Sequence, residues 1–348
     1  MLKVICAMSG GIDSTVAAAL LKSGRFLPAG RQVNVLGVFI RFWSENKTEN
    51  LKAEKKAKFV AKKLGIPFFI FDFKKEFKKK VVNYFIQEYK AGRTPNPCVV
   101  CNKEIKFGLF LKKALAMKID FIATGHYVRL EKGKLMMAKD KEKDQSYFLW
   151  QLSQKQLKRC LFPLGGYTKT EVKKMAEDFN LSVSSFRESQ EVCFASTSAA
   201  DFLKKNIKQI PGNIINTKGE ILGKHKGLSL YTIGQRKGIE LPGGPYWVVK
   251  KDIKKNVLSV TKNEKDLLQK ELAFYLANWI SGKNPNFPLK VKVKTRYRSQ
   301  LADAVIKKGN KVVFKKAQRA ITSGQSVVFY LPVQAGRGKE LLGGGVIK

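Results

Sequence analysis

A glycine pair stands between the first apolar run of the chain and its first helical pattern. Residues 1–6 are typical of a buried strand, and the next segment, Ala7-Met8-Ser9-Gly10-Gly11-Ile12-Asp13-Ser14-Thr15, leads into a predicted helix. Adjacent glycines let backbone N–H groups approach an anion, and the helix N-terminus adds the positive end of its dipole. The segment therefore predicts an anion cradle at a strand end. The simpler alternative is a glycine turn in which Ser9 or Asp13 caps the helix.

Strand-like and helical segments alternate over about the first 200 residues, which predicts an α/β fold with a Rossmann-like parallel sheet covered on both faces. The predicted strands are 4–7, 35–42, 68–73 and 121–124. The predicted helices are 12–23, 51–64, 74–90, 103–117, 146–158 and 170–180, and a hairpin is expected over 128–139.

The chain changes character after Pro211, where short β-branched runs and glycines predict a small β domain. Further on, residues 289–294 alternate at period two and 326–330 are strand-like, which predicts a C-terminal β-barrel. We expect domains at 1–208, 209–272 and 273–348.

The net charge of the chain limits the class of substrate that it favours. The 348 residues include 67 Lys and Arg against 27 Asp and Glu, a net charge of +40 that is too basic for a typical small-metabolite enzyme. Such a charge attracts polyanions, nucleic acid first, although a general preference for lysine explains it equally well. A hydrophobic content of 44% excludes a wholly disordered chain. No apolar run approaches the roughly 18 residues of a membrane span, so we expect a soluble, cytoplasmic protein with no membrane partner.

Five cysteines are too few and too unevenly spaced for a secreted disulfide framework. Two of them lie in the proline-stiffened segment Thr94-Pro95-Asn96-Pro97-Cys98-Val99-Val100-Cys101-Asn102, which opens onto a helix, so the thiolate of Cys101 is expected to be favoured. A lone Cys-x-x-Cys leaves a redox pair, cluster ligands or half a zinc site open. With only two histidines, His126 and His225, a closed zinc site is disfavoured. By itself, a cysteine such as Cys193, beside Val192 and Phe194, is more typical of a small buried hydrophobic residue than of a nucleophile.

The glycine segment lacks the Gly-Lys-Ser/Thr ending of a nucleoside-triphosphate P-loop and the spacing of the dinucleotide fingerprint. It resembles the Ser-Gly-Gly-x-Asp-Ser loop of the PP-loop ATP pyrophosphatases. That resemblance implies cleavage of ATP between its α and β phosphates and adenylation of a carbonyl oxygen.

Six motifs in order make the chain similar to the bacterial tRNA-specific 2-thiouridylases, from Met8 to about Arg298. The motifs are the glycine loop, Thr94 to Asn102, Ala123-Thr124-Gly125-His126-Tyr127, Lys143-Asp144-Gln145-Ser146-Tyr147-Phe148-Leu149, Cys193-Phe194, and Tyr231-Thr232-Ile233-Gly234-Gln235-Arg236-Lys237-Gly238. This family converts the wobble uridine, U34, of certain tRNAs to 2-thiouridine.

The resemblance implies roles for individual residues. Contacts to ATP are implied for Ala7, Met8, Ser9, Gly10, Gly11, Ile12, Asp13, Ser14, Ile40 and Gly125, with Asp13 helping to hold Mg²⁺. Cys193 would carry the persulfide sulfur, supplied by a persulfide donor protein, and Cys101 would be its partner nucleophile. The anticodon stem-loop of tRNA would contact Asn96, Pro97 and Cys98 at the target base, and Lys143, Asp144, Gln145, Arg296 and Tyr297 elsewhere.

One residue departs from the family pattern, because many members have Asp where this chain has Cys98. Three cysteines, Cys98, Cys101 and Cys193, match the ligand count of an iron–sulfur cluster with one open iron. An iron–sulfur-dependent tRNA thiolase with the same ATP step therefore remains an alternative. A PP-loop enzyme acting on a small molecule and a non-catalytic RNA-binding protein are two further alternatives.

Overall fold

The structure is a computed structural model that describes residues 1–26, 33–181, 192–332 and 339–348. Its first part is built on a five-stranded sheet in the order β3-β2-β1-β4-β7, in which all the pairings are parallel. The strands of this part are β1 (Leu2–Ala7), β2 (Val33–Arg41), β3 (Phe68–Asp72), β4 (Phe121–Ala123), the hairpin β5 (Val128–Glu131) and β6 (Lys134–Met137), and β7 (Cys160–Leu161). The predicted α/β fold with a parallel sheet is confirmed.

Helices cover both faces of this sheet and bury two apolar clusters against it. The α-helices are α1 (Ile12–Lys22), α2 (Lys47–Lys63), α3 (Lys74–Phe77), α4 (Asn83–Lys90), α5 (Pro97–Val100), α6 (Phe110–Ala116), α7 (Gln154–Leu157), α8 (Lys169–Asp178) and α9 (Ala199–Asn206). Two π-helical segments, Lys78–Val82 and Cys101–Leu109, join their neighbours into the continuous helices 74–90 and 97–116. Single 3₁₀ turns lie at Ser146–Phe148, Leu228–Leu230 and Glu264–Leu267.

A four-stranded sheet follows, in the order β10-β11-β8-β9. Its strands are β8 (Gly212–Ile215), β9 (Ile221–His225), β10 (Trp247–Asp252) and β11 (Val257–Thr261). Its small core is centred on Ile214, Val248 and Leu258. The predicted small β unit is confirmed.

The last part is a closed six-stranded barrel in the order β12-β15-β14-β13-β16-β17. Its strands are β12 (Leu268–Trp279), β13 (Leu289–Lys294), β14 (Ala302–Lys307), β15 (Lys311–Arg319), β16 (Ser326–Tyr330) and β17 (Leu341–Ile347). The expected boundary after residue 272 falls inside β12, so we propose to place it before Leu268.

The predicted helix over 146–158 is wrong. The structure has a 3₁₀ turn at its start and the single turn α7 near its end. The backbone carbonyls of Trp150 and Leu152 accept hydrogen bonds from the Asn278 amide, at 2.6 and 3.2 Å, and the Trp150 indole donates to Ser326 Oγ at 3.0 Å. Packing against the barrel thus replaces the intrahelical hydrogen bonds that this segment was expected to form.

Two short elements were not predicted from the sequence. The strand β7 extends the sheet beyond β4, and helix α9 follows Cys193, which we expected to lie after the last helix of this part. Among the helices that the structure describes, none has both the length and the apolar character needed to cross a bilayer.

Candidate functional site

The glycine loop lies where β1 ends and α1 begins, and its own side chains hold it in shape. The Ser9 backbone N–H donates to Ser14 Oγ at 3.0 Å, and that hydroxyl donates to the Gly11 carbonyl at 3.0 Å. Gly10 has a φ of +76°, and a Cβ there would lie 2.4 Å from the Ala53 carbonyl oxygen. Only glycine fits such a position, so the turn is fixed by both its conformation and its packing.

Other residues predicted to contact ATP surround the same strand ends. Gly125 follows β4, and a Cβ there would lie 2.9 Å from the Ser14 backbone nitrogen. Ile40 lies near the end of β2, while the Met8 side chain is buried beneath the loop. The carboxyl ends of adjacent parallel strands thus bring residues from distant parts of the chain to one edge, the usual place for a ligand in such sheets.

A lysine that the sequence analysis missed also lies at this edge. Lys169 Nζ donates to Asp13 Oδ1 at 2.7 Å, and the Tyr127 hydroxyl donates to the same oxygen at 2.7 Å. Lys169 is the first residue of α8, behind a capping box formed by Thr168 and Glu171. A cation at a helix N-terminus opposes the helix dipole. This unfavourable placement is a feature of the sequence from which a role for Lys169 could have been predicted.

The cysteines of the Pro-rich segment meet Cys193 at a second location. Cys98 and Cys193 reach solvent, and Cys101 is buried. Burial raises the pKa of the Cys101 thiol to about 12, the nearby Lys106 ammonium opposes this rise, and Cys193 and Cys98 add to it. Although Cys193 reaches solvent, the protein atoms packed around its thiol partly desolvate it and raise its pKa to about 11. Cys98 adds to this rise and Lys106 opposes it. The three thiols therefore share one electrostatic environment.

The expectation that Cys101 favours its thiolate is wrong for this arrangement, because burial dominates its pKa. The helical segment begins at Pro97, so Cys101 lies beyond the first turn, where the helix dipole acts most strongly. Lys106 is the cation that opposes the burial effect at all three thiols.

Within the described ranges, no group of three or more His, Cys, Asp or Glu side chains is arranged to hold a metal ion. His126 is buried, and its Nδ1 lies 2.8 Å from Thr124 Oγ1. Burial, and then Lys106, lowers its pKa well below the usual value, so the ring is neutral. Cys6 and Cys160 are buried at the sheet.

The residues predicted to contact tRNA differ in how far their side chains are accessible. The Asp144 carboxylate is 1% exposed and accepts hydrogen bonds from the Ala138 N–H at 2.9 Å and the Ser146 hydroxyl at 2.8 Å. This placement disagrees with a direct side-chain contact to RNA, because the carboxylate is used to hold the loop. Lys143 and Gln145 on either side of it are half-buried, and Gln145 Oε1 accepts from the Tyr127 N–H at 3.0 Å.

Arg296 and Tyr297 follow barrel strand β13. One nitrogen of the Arg296 guanidinium donates to the carbonyls of Ile233, at 3.0 Å, and Ala320, at 2.7 Å, so it joins the small sheet to the barrel. The Tyr297 ring lies 4.5 Å from the Phe148 ring, between their centroids. The Tyr297 ring therefore packs against Phe148, whereas the Arg296 guanidinium is engaged in hydrogen bonds within the protein.

All three parts of the chain meet at Thr94, at the start of the cysteine segment. Its hydroxyl lies 3.3 Å from that of Thr232 in the small β unit, and its carbonyl accepts from the Gln325 amide of the barrel at 2.9 Å. Asn96 and Pro97 lead from there to Cys98, and Asn96 is hydrogen-bonded to the Tyr147 hydroxyl. The loop that presents Cys98 is therefore fixed from three sides.

Three family descriptions match consecutive parts of the chain. They are a tRNA methyl transferase HUP domain over residues 2–197, a tRNA methyl transferase PRC-barrel domain over 200–262, and an aminomethyltransferase beta-barrel domain over 269–347.

Two solved structures resemble part of the fold. One is the U34-tRNA thiolase NcsA from Methanococcus maripaludis with its [4Fe-4S] cluster, 21% identical, with a TM-score of 0.36 over 60% of this chain and 67% of that one. The other is a 4-thiouridine synthetase–RNA complex with bound ATP, 19% identical, with a TM-score of 0.34 over 59% of this chain and 50% of that one.

Similarity to curated proteins extends from end to end. The chain is 45% identical to the tRNA-specific 2-thiouridylase MnmA of Halothermothrix orenii over 99% of both chains. It is 42% identical to the protein of that name from Acetivibrio thermocellus, again over 99% of both chains. The first family description covers more than half of the chain and these relatives match nearly all of it, so the chain belongs to the tRNA-specific 2-thiouridylase family.

Proposed function

We propose that the protein is a tRNA-uridine 2-sulfurtransferase that uses ATP to activate the wobble uridine and two cysteines to deliver sulfur to it. The observation that supports this proposal best is that Cys193 and Cys101, 92 positions apart in the chain, lie close enough for one thiol to raise the pKa of the other. A persulfide relay gives both of these thiols a role. The net charge of +40 fits a tRNA substrate.

The first step activates a poor electrophile. Uridine O2 attacks the α-phosphate of ATP, pyrophosphate leaves, and C2 then carries an adenylated oxygen. Residues 7–14, together with Ile40 and Gly125, form the nucleotide site in this proposal. Lys169, at 2.7 Å from Asp13, is placed to neutralise charge on the transferring phosphate.

The second step transfers sulfur. The terminal sulfur of a persulfide on Cys193 attacks C2 and AMP leaves, which links C2 to Cys193 through two sulfurs. Cys101 then loses its thiol proton as it attacks Cys193 Sγ, and the departing 2-thiouridine takes up a proton in exchange. This leaves a disulfide between Cys101 and Cys193. Two electrons from a cellular thiol reductant reopen that disulfide, and a persulfide donor protein reloads Cys193. Asn96, Pro97 and Cys98 border the extruded base in this scheme.

Mg²⁺ fits this site as a companion of ATP. Asp13 is the carboxylate at the glycine loop, and Mg²⁺ commonly combines one protein carboxylate with substrate phosphates and waters. Asp13 would hold the ion, which would supply charge neutralisation at the phosphates. Lys169 and Tyr127 fix the orientation of that carboxylate.

An iron–sulfur cluster does not fit the thiols as they are arranged. Cys98, Cys101 and Cys193 influence one another's pKa values, but no described group of three such side chains is arranged to hold a metal.

An anaerobic assay tests the proposal. The protein, unmodified tRNA, ATP, Mg²⁺ and a low-molecular-weight persulfide should give 2-thiouridine, AMP and pyrophosphate in equal amounts. C193S should lose 2-thiouridine by at least about 10³-fold while keeping single-turnover release of pyrophosphate. The matched control is C160A, at a buried cysteine beside the sheet, which should retain activity.

Three results would contradict the proposal. C193S as active as the parent would exclude the persulfide relay. Turnover that follows iron content would favour the iron–sulfur alternative. Pyrophosphate release that does not depend on tRNA would favour a small-molecule substrate.

A further inference from the structure

Four lysines converge where the loop after the β5–β6 hairpin meets the barrel. Lys141 lies in that loop, Lys292 and Lys294 lie on β13, and Lys339 precedes β17. Strand alternation explains the pair on β13, because Val291 and Val293 point into the barrel core, whereas Lys292 and Lys294 occupy the alternate positions and point away from it.

Pairing within the barrel brings Lys339 to the same place. Lys292 is opposite Tyr330 of β16, and the next residue, Leu331, donates its N–H to the carbonyl of Glu340 at 2.9 Å. The Lys339 carbonyl accepts from the Met137 N–H at 2.9 Å, at the end of β6. Lys339 therefore lies between the hairpin and the strand that pairs with β13.

Carboxylates face two of these four lysines, Lys292 and Lys294. Asp303 forms an ion pair with Lys292 at 2.7 Å, and Glu340 forms one with Lys134 at 2.9 Å. The buried Asp144 carboxylate faces Lys294 but accepts hydrogen bonds from its own loop. Asp140 accepts backbone N–H groups on its side of the loop. Burial lowers the pKa of Lys339, and the ammonium groups of Lys141, Lys292 and Lys294 lower it further, so the four positive charges lie close enough to repel one another.

Tyr297 connects the cluster to the thiols. Lys294 Nζ donates to the Tyr297 carbonyl at 3.4 Å, and the Tyr297 ring packs against Phe148. The Tyr297 hydroxyl also lies within the electrostatic reach of Cys98. Tyr297 therefore contacts Lys294 and also lies near Cys98, which places the lysine cluster next to the thiol site.

We propose that Lys141, Lys292, Lys294 and Lys339 form a binding site for the RNA phosphates that flank the nucleotide entering the thiol site. Repulsion among the four ammonium groups is relieved when phosphates bind, and each neutralised phosphate releases counterions. The site recognises the sugar–phosphate backbone and positions it, without reading the sequence. This inference rests on the proposed function, since it assigns residues to the tRNA substrate.

The test uses full-length K292Q/K339Q, which leaves the buried Lys294 in place. Binding of an unmodified tRNA transcript is measured by filter binding between 50 and 200 mM KCl. We expect affinity to fall about tenfold near 100 mM salt and the slope of log K against log salt to become shallower by about 1.5. The matched control is K308Q/K316Q, which removes two exposed barrel lysines outside the cluster and should change the slope by less than about 0.5.

Two further readouts locate the effect. ATP binding should be unchanged in both double variants, and 2-thiouridine formation should recover at saturating tRNA. Ethylation of single phosphates should interfere with binding of the parent next to the wobble position, and this interference should weaken in K292Q/K339Q.

The inference fails if the two double variants have the same salt slope, because net charge rather than this cluster would then bind the RNA. It also fails if interference maps elsewhere on the tRNA. A parent protein that binds tRNA no better than other RNA would instead overturn the proposed function.

Discussion

The glycine loop and the thiol site are built in different ways. The loop is one continuous stretch, residues 7–14, and hydrogen bonds between its own members, such as Ser9 and Ser14, hold it. The thiol site joins two segments about 90 residues apart, and two of its three thiols reach solvent. One site is fixed by local structure, whereas the other depends on packing between distant parts of the chain.

This difference separates the two halves of the proposed reaction. Nucleotide binding needs rigid backbone groups aimed at phosphates, and a short motif supplies them. Sulfur transfer needs groups that change partner during each cycle, so solvent access at Cys193 is an advantage there. Three experiments test whether the contrast holds.

The largest effect is expected at Lys169. K169M removes the cation beside Asp13, and the adenylation rate should fall by about 10²–10³-fold, the range for losing one group that stabilises a developing anion. Single-turnover release of pyrophosphate in the presence of tRNA measures this rate. The control is K173M on the exposed side of the same helix, which should stay within about twofold of the parent. Equal rates for both variants would remove Lys169 from the site.

A smaller effect separates packing from backbone conformation at two glycines with positive φ, Gly10 in the glycine loop and Gly24 after α1. G24A, at φ +73° with no neighbour within 4 Å of the added Cβ, should cost about 1 kcal/mol in unfolding free energy. G10A adds a clash with the Ala53 carbonyl at 2.4 Å and should cost about 3 kcal/mol. Urea unfolding measures both, and equal losses would mean that α2 yields to the added methyl group and that the loop is not rigid.

The smallest effect compares two thiols. The raised pKa values, about 11 for Cys193 and about 12 for Cys101, keep both neutral at pH 8, so alkylation should accelerate as pH rises towards these values. Cys193 should react about tenfold faster than Cys101, because its thiolate fraction is larger and it reaches solvent. Peptide mass spectrometry after iodoacetamide treatment between pH 7 and 9.5 follows both residues. Faster reaction at Cys101 would show that the buried thiol is the activated one.

Sequence reasoning succeeded where neighbours along the chain decide the structure. The strand, loop and helix around Gly10 and Gly11 could be predicted because spacing and residue type act locally. The pattern of 289–294 likewise predicted a barrel strand, since the side chains of a strand alternate between its two faces.

Prediction failed where a distant segment decides. Residues 146–158 look helical, but Asn278 and Ser326 of the barrel take the hydrogen bonds of Trp150 and its neighbours. The pairing of Lys169 with Asp13 spans 156 positions, and the burial that raises the Cys101 pKa comes from the whole fold. Such effects have no signature at the residue itself, apart from the unfavourable position of Lys169 at a helix start.

Through Thr94, the cysteine loop is joined to both of the other parts of the molecule. Its carbonyl is held by Gln325 of the barrel and its hydroxyl contacts Thr232 of the small β unit, four residues before Cys98. A shift of either unit relative to the parallel sheet therefore pulls on the segment that presents this thiol. In the proposed function, RNA docked on the barrel and the geometry at the reactive sulfur would therefore be mechanically linked through Thr94 and its neighbours.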